Sequence, residues 1–447
     1  MSKTTKPDGG KTKPDTRNLG PRAIALDAVM GVFTKGAPMD HALASHPDHK
    51  RLEPRDRAFA RAIAAAAVRR KGALEAALNA FLDKPLPDSA LRAHLVLVCG
   101  AGELMVLNNA PHAVVDAWVT VMRADAECER FAGLANAVLR RISERGRGAF
   151  EAADPLHDLP DWLSDAWSKA YGVKTARAMA RARSVHPPLD LTLKVPGEAE
   201  ALADELDGIC LPNGTVRLSE TRDPTGIPGF EEGRWWIQDA AATLPVRILA
   251  PQPGERIADL CAAPGGKTLQ IAASGAQTFA VDRAPKRLKA LYDNLERTRL
   301  SATVEAADAA QWQPDEPLDG ALLDAPCSAT GTLRRRPDAA WAKTQADIAS
   351  LASVQASLLT AAYKLIRPGG RLVYCTCSLE PQEGEKQIAG FLKRNPEARL
   401  DPIRPEEVPG LEDAIDAEGA LRTRPDMWRE VGGIDGFYIA RLLRPTG

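Results

Sequence analysis

Apolar positions recur at helical spacing through the first third of the chain. Ile24, Val29, Val32 and Phe33 form one set, Phe59, Ile63 and Ala67 a second, and Leu74, Leu78, Phe81 and Leu82 a third. Apolar stretches at 91–107 and 114–122 follow, and Leu134, Val138, Leu139 and Ile142 close the series. With breaks at Gly72, at Pro85 to Pro87 and at Pro111, residues 21–150 read as an all-α domain. Residues 1–20, rich in Lys, Pro, Asp, Gly and Thr, read as a disordered basic tail. Between 151 and 234 the texture is mixed: helical over 162–183, strand-like over 189–195, Gly- and Pro-rich from 212 to 233. That segment is expected to form a small α+β linker domain.

From 235 to 447 short apolar runs alternate with helical patterns. Strands are expected at 256–260, 278–282, 303–307, 320–324 and 371–376, with helices at 266–273, 285–299, 345–366 and 382–394 and a last strand at 437–443. This alternation predicts an α/β fold, a doubly wound, mostly parallel Rossmann-like sheet. No internal repeat is visible.

A length of 447 residues agrees with about three domains. With 45% hydrophobic and 26% charged residues, the chain is neither collagen-like, nor a coiled coil, nor wholly disordered. The net charge of −1 conceals an asymmetry: residues 1–150 hold 23 basic and 16 acidic side chains, and the remainder 35 and 43. A basic N-terminal third on an acidic body points to a polyanionic partner. Arg51, Arg55, Arg57, Arg61, Arg69, Arg70 and Lys71 crowd the second expected helix, against Glu53 and Asp56 alone. A nucleic-acid-facing surface is preferred there to a merely solvated face. No apolar run reaches the ~18–20 residues of a membrane span, and no signal-peptide core follows the basic N-terminus. Seven cysteines (99, 128, 210, 261, 327, 375 and 377) without Cys-x-x-Cys spacing argue against a disulfide framework or a metal site. A soluble, cytoplasmic protein is expected.

Chemistry concentrates at the expected strand ends. The first strand runs into Asp259-Leu260-Cys261-Ala262-Ala263-Pro264-Gly265-Gly266-Lys267-Thr268 and opens a helix, a turn that lets backbone approach a bound nucleoside. It is not a P-loop, because the position five before Gly266 is Cys261. The second strand ends at Asp282, placed to accept ribose hydroxyls, and the third at Asp308, placed to meet an adenine edge. A helix N-cap is the plainer role for either one alone. A glycine turn with a series of acids and no phosphate signature suits S-adenosylmethionine. The fourth and fifth strands lead into Asp324-Ala325-Pro326-Cys327-Ser328 and Cys375-Thr376-Cys377-Ser378. Cys327 and Cys377 are thus expected close together over the cofactor in a reactive role, while Cys375 reads as a buried filler. Arg334, Arg335 and Arg336 are expected either to hold RNA phosphates or to form a solvated turn.

Asp259 to Thr268, Asp324 to Ser328 and Thr376-Cys377-Ser378 resemble the motifs of the Sun family of RNA cytosine-5 methyltransferases. The resemblance runs from about Gly233 to the end and includes Gln238-Asp239 and Asp435-Gly436-Phe437. The N-terminal helices are similar to the NusB-type RNA-binding domain, with Arg55-Asp56-Arg57 and Leu134 to Arg141 as the matching stretches. Together they resemble the bacterial small-subunit rRNA branch. Three positions depart: Ala307 precedes Asp308 where Gly is usual, Ala242 stands where Ser is common, and Leu191-Thr192-Leu193-Lys194 replaces an Arg-x-Asn.

The resemblance implies catalysis by Cys377, Cys327, Asp324 and Lys267. Cytosine carbon 5 is too electron-poor to attack a methyl sulfonium unaided, so a thiolate first adds to carbon 6. That thiolate is Cys377, Asp324 holds the cytosine edge, Lys267 sets local charge, and Cys327 releases the product. The cofactor would contact Cys261, Ala262, Ala263, Pro264, Gly265, Gly266, Lys267, Asp282, Asp308 and Asp324. The sulfonium and Lys267 must keep the attacking thiol ionised, and the target base must be unstacked. The expected partner is RNA, small-subunit rRNA in particular, with the protein a monomer and no protein partner evident. The competing readings are a non-catalytic RNA-binding ribosome assembly factor, a DNA cytosine-5 methyltransferase with Cys327 as nucleophile, and a nucleotide hydrolase, which Cys261 in the P-loop register disfavours.

Overall fold

The computed structural model describes residues 20–219 and 223–446; the expected basic tail lies outside them, apart from Gly20. The chain divides into two compact units, Met1–Pro160 and Asp161–Gly447.

The first unit is helical: α1 (Gly20–Lys35), α2 (Met39–Ser45), α3 (Pro54–Arg69), α4 (Lys71–Asn79), α5 (Leu91–Met105), α6 (Pro111–Ala124), α7 (Ala132–Arg145) and α8 (Arg147–Ala152). Ile24, Val29, Val32, Ile63, Ala67, Leu74, Leu78, Val138, Leu139 and Ile142 are all buried, so the spacing located the faces correctly. Gly72 does not separate two helices. The break falls at Arg70, and Gly72 sits inside α4, where a Cβ would lie 2.1 Å from the His157 carbonyl oxygen. The glycine is there because α4 packs directly on the 155–158 turn.

The arginine cluster differs from expectation too. The short α2 makes the arginine-bearing helix the third, and Arg51, Arg70 and Lys71 lie outside it. Arg51 pairs with Asp48 at 2.8 Å, Arg61 with Asp40 at 2.7 Å, Arg70 with Asp158 at 2.9 Å and Lys71 with Glu75 at 2.7 Å. Arg69 is buried. The neutralising acids come mostly from other elements, which a count along one helix does not include. Among the described residues, Arg55 and Arg57 remain without an acidic partner.

The second unit opens with α9 (Asp161–Tyr171) and α10 (Val173–Ser184), one expected helix split at Gly172, whose φ is +78°. A four-stranded antiparallel sheet follows, in the order β2-β3-β1-β4, from β1 (Leu189–Leu193), β2 (Ile209–Cys210), β3 (Val216–Leu218) and β4 (Trp235–Ile237), with α11 (Ala199–Leu206) against it. Then come α12 (Ala240–Leu249), β5 (Arg256–Leu260), α13 (Gly266–Ala273), β6 (Gln277–Val281), α14 (Pro285–Thr298), β7 (Thr303–Glu305), β8 (Leu318–Asp324), α15 (Gln345–Leu365), β9 (Ile366–Thr376), α16 (Glu385–Arg394), β10 (Arg399–Asp401), β11 (Leu421–Arg422) and β12 (Tyr438–Leu443). The large sheet runs β10-β12-β9-β8-β5-β6-β7, with β11 on β12. Strands β5 to β9 are parallel, and β12 is antiparallel to β9. The order reverses between β5 and β8, the crevice where open α/β sheets bind ligands. Leu260, Val281, Ala321, Leu323, Leu372 and Tyr374 form its buried centre with Leu359 of α15 and Phe391 of α16.

A buried charge cluster joins the small sheet to the large one. Arg217 bonds both oxygens of Asp190 at 2.7 Å and donates to the Gly433 carbonyl, also at 2.7 Å. Arg335 bonds Asp239 at 2.7 Å and lies 3.5 Å from Asp190, while Arg334 lies 3.4 Å from Asp435. Both readings of the arginine triplet therefore fail for Arg334 and Arg335: these two meet buried acids, and only Arg336 is exposed. The triplet was read without the acids at 190, 239 and 435, all distant in sequence.

Candidate active site

Each element of the site begins at a strand end. Asp259, in β5, is fully buried; its Oδ2 accepts the Thr268 hydroxyl at 2.6 Å and its Oδ1 has no partner in the protein. Burial pushes its pKa up to about 7, against the Thr268 hydrogen bond. The chain then turns through Cys261 at φ +65° and Gly265 at φ +108°. A Cβ on Gly265 would stand 2.4 Å from Leu291 Cδ1, so the turn packs on α14 only with glycine there. Asp282, just past β6, accepts the Ala263 N–H at 3.1 Å and the Ala284 N–H at 2.9 Å. It thereby ties the glycine turn to the start of α14. Asp308 falls three residues beyond β7, which ends at Glu305, and is exposed in the loop, accepting the Ala310 N–H at 2.9 Å.

Two cavities share this turn. One of about 300 Å³ is lined by Cys261, Asp282, Asp308, Pro326, Val354 and Leu358, among others. Its apolar walls suit a nucleobase, and its two carboxylates suit ribose and base donors. The other, of about 380 Å³, is lined by Ala262, Pro264, Gly266, Lys267, Gln238 and Asp324 with further residues. Eight of the ten expected cofactor contacts are thus divided between two adjoining cavities, with Lys267 and Asp324 in the second, whereas Ala263 and Gly265 line neither.

Lys267 Nζ donates to Asp324 Oδ2 at 2.8 Å and lies 5.3 Å from the Phe437 ring centroid. Burial opposes its charge, yet Asp324, with Cys375 and Asp259, more than offsets this and holds the ammonium pKa above its ordinary value. In the β8–β9 register Asp324 is opposite Cys375, whose Sγ lies 3.5 Å from Asp324 Oδ1. Cys375 is fully buried, and burial drives its pKa well up, as suits a filler.

Cys327 and Cys377 are brought together as expected, with Sγ atoms 3.4 Å apart. The hydrogen bond to Cys377, then burial, raise the Cys327 pKa well above the ordinary thiol value. Beneath the pair lies Glu383, which sequence reasoning missed. It is fully buried and accepts the Ser328 N–H at 3.0 Å, the Ser378 hydroxyl at 2.6 Å, Gln355 Nε2 at 2.9 Å and the Ser328 hydroxyl. The available signal was the repeated Cys-Ser dipeptide, a serine following each cysteine.

A switch-point crevice carrying a glycine turn, strand-end acids and no phosphate loop defines a methyltransferase of the Rossmann type. Within that class, the chain belongs to the 16S rRNA methyltransferase RsmB/F family, whose description matches residues 246–443; the NusB family matches residues 20–144. The chain is 34% identical over 443 residues to the ribosomal RNA small subunit methyltransferase B of Citrobacter koseri, covering 95% of this chain and 98% of that one. The crystal structure of PH0851 shares its fold across 97% of this chain and 100% of that one, with a TM-score of 0.71 at 23% identity. A methyltransferase homolog from Pyrococcus horikoshii, 27% identical, covers 63% of this chain and 93% of that one with a TM-score of 0.52. The family resemblance and the expected fold class, a helical NusB-like region before a mostly parallel Rossmann-like sheet, are both borne out. Among the described residues no helix is long and apolar enough to cross a membrane.

Proposed function

We propose that the protein methylates carbon 5 of a cytosine in small-subunit rRNA, acting as a monomer in the cytoplasm. The observation that carries this reading is the pair of thiols just beyond β8 and β9, 3.4 Å apart, where β8 itself ends at Asp324, the partner of Lys267. Residues 261–266 would hold S-adenosylmethionine, Asp282 and Asp308 would take its nucleoside half, and the bound cofactor would supply the methyl group.

Cys377 attacks carbon 6 of the flipped-out base, and electron density passes to carbon 5. Asp324 orients the cytosine edge and Lys267 balances its charge. Once the Cys377 sulfur is bonded to carbon, it no longer presents a thiolate to Cys327. The two causes that a Cys377 thiolate contributes to the high Cys327 pKa, the hydrogen bond and the negative charge, vanish together. After carbon 5 has taken the methyl group, Cys327 can lose its own proton to solvent and, as thiolate, take the proton from carbon 5. The carbon 5–carbon 6 double bond re-forms and Cys377 departs as thiolate. The choice of Cys377 over Cys327 as nucleophile follows the family resemblance of Thr376-Cys377-Ser378 and disfavours the DNA-type assignment.

Incubation with tritiated S-adenosylmethionine and undermethylated small-subunit rRNA, followed by nucleoside analysis, tests the proposal. Label in 5-methylcytidine supports it. RNA binding without any label transfer would instead establish a non-catalytic assembly factor.

A further inference from the structure

Glu383 lies between Cys377 and α16 and touches neither sulfur. It gathers two donors from the Cys327 loop, the N–H and hydroxyl of Ser328, and one from the Cys377 loop, the Ser378 hydroxyl at 2.6 Å. Gln355 of α15 adds a fourth at 2.9 Å while also donating to the Pro326 carbonyl at 2.9 Å. The Glu383 backbone carbonyl accepts the Tyr374 hydroxyl at 2.7 Å and the Thr376 hydroxyl at 3.3 Å, both on the strand leading to Cys377. The two serine hydroxyls are themselves 3.1 Å apart. One buried carboxylate, satisfied by neutral donors, therefore spans the β8 and β9 loops directly below the thiols.

We propose that Glu383 is a positioning residue that holds the Cys327 and Cys377 loops in register, and that both oxygens of its carboxylate are required for this. The proposal rests on the two-cysteine reading only for its consequence in catalysis. A serine hydroxyl has one proton to give, and both Ser328 and Ser378 direct theirs to the same Glu383 oxygen. An amide in its place offers one acceptor oxygen and a competing NH₂ donor, so all four donors cannot be accepted at once. The loops then lose their common anchor, and small displacements of reacting groups are costly in rate.

The test is Glu383→Gln in the full-length protein, with two readouts. The first is the rate at which diamide closes a Cys327–Cys377 disulfide, followed by peptide mapping. Two thiol protons and two electrons pass to the diamide N=N bond as the S–S bond forms. Closing a pair already 3.4 Å apart is fast only while the loops are held. The variant is expected to cross-link about 10-fold more slowly, and its kcat to fall about 10- to 100-fold with the KM for RNA unchanged. An unchanged cross-linking rate would overturn the proposal, whatever happens to kcat. Slower cross-linking with an unchanged kcat would keep Glu383 as the anchor and refute the two-cysteine mechanism instead. Should Glu383→Gln fail to fold, Ser378→Ala removes one of the donors to Glu383, together with the acceptor of the Glu380 N–H, and is read the same way, with a smaller effect in the same direction.

Discussion

The Sγ atoms of Cys327 and Cys377 face each other at 3.4 Å, a contact in which either thiol can donate. The hydrogen bond to Cys377, then burial, raise the Cys327 pKa. The proposed division of labour, with Cys377 attacking and Cys327 releasing, predicts two variants that differ in kind. Cys377→Ala removes the attacking group, so it is expected to be inactive and to form no RNA adduct. Cys327→Ala leaves attack and methyl transfer intact and removes release, so it is expected to accumulate a protein–RNA adduct stable to denaturing electrophoresis. Gels with labelled RNA decide the matter; an adduct with Cys377→Ala would reverse the roles.

The strand-end acids predict separable effects on the cofactor. The Asp308 carboxylate accepts one backbone N–H and is exposed, so Asp308→Ala is expected chiefly to delete the proposed cofactor contact. A lost acceptor of this kind costs ~1–3 kcal/mol, or about 5- to 150-fold in affinity. Asp282→Ala is expected to cost more, because it also strands the Ala263 N–H and loosens the glycine turn. Calorimetric titration with S-adenosylmethionine measures both, and wild-type affinity in either variant would remove that residue from the cofactor site.

For RNA affinity, the unpaired Arg55 and Arg57 of α3 are the informative positions, since their neighbours at 51, 61, 70 and 71 are already neutralised. Each phosphate contact contributes a log–log salt slope of about −0.7 for single strands. Replacing both arginines with alanine is expected to flatten the slope by about 1.4 and to leave cofactor binding untouched. Filter binding across a salt series provides the measurement, and an unchanged slope would place the RNA surface elsewhere.

What was legible in the sequence follows from the range of the interactions. Strand β5 and helix α13 fall at their expected bounds because the apolar run and the glycine turn are local. Cys327 and Cys377 could be paired because parallel strands bring their carboxyl ends to one edge. Glu383 is hard to find, since its role exists only where two loops, 50 residues apart at Ser328 and Ser378, converge, and the repeated Cys-Ser dipeptide is its local trace. Arg334 and Arg335 misled for the same reason, as their partners Asp190, Asp239 and Asp435 come from other elements. Asp308 shows a smaller limit: β7 ends early, and the acid reaches the cavity from a loop rather than from a strand.

Glu380 yields a prediction about stability. It is almost fully buried, accepts a hydrogen bond from Trp167 Nε1 at 3.2 Å, and burial pushes its pKa up to about 7 from an ordinary 4.5. The folded protein therefore binds a proton that the unfolded chain has released between about pH 4.5 and 7. With more protons bound in the folded state, stability from this group falls as pH rises through that window and is level above it. A shift of this size corresponds to about 3 kcal/mol. Glu380→Gln keeps the acceptor for Trp167 and cannot ionise, so it is expected to lose less stability than the wild type between pH 5 and 8. Urea unfolding of both proteins at the two pH values measures the difference. Equal losses would show that Glu380 is already ionised in the fold at pH 5, with its charge met by groups other than Trp167.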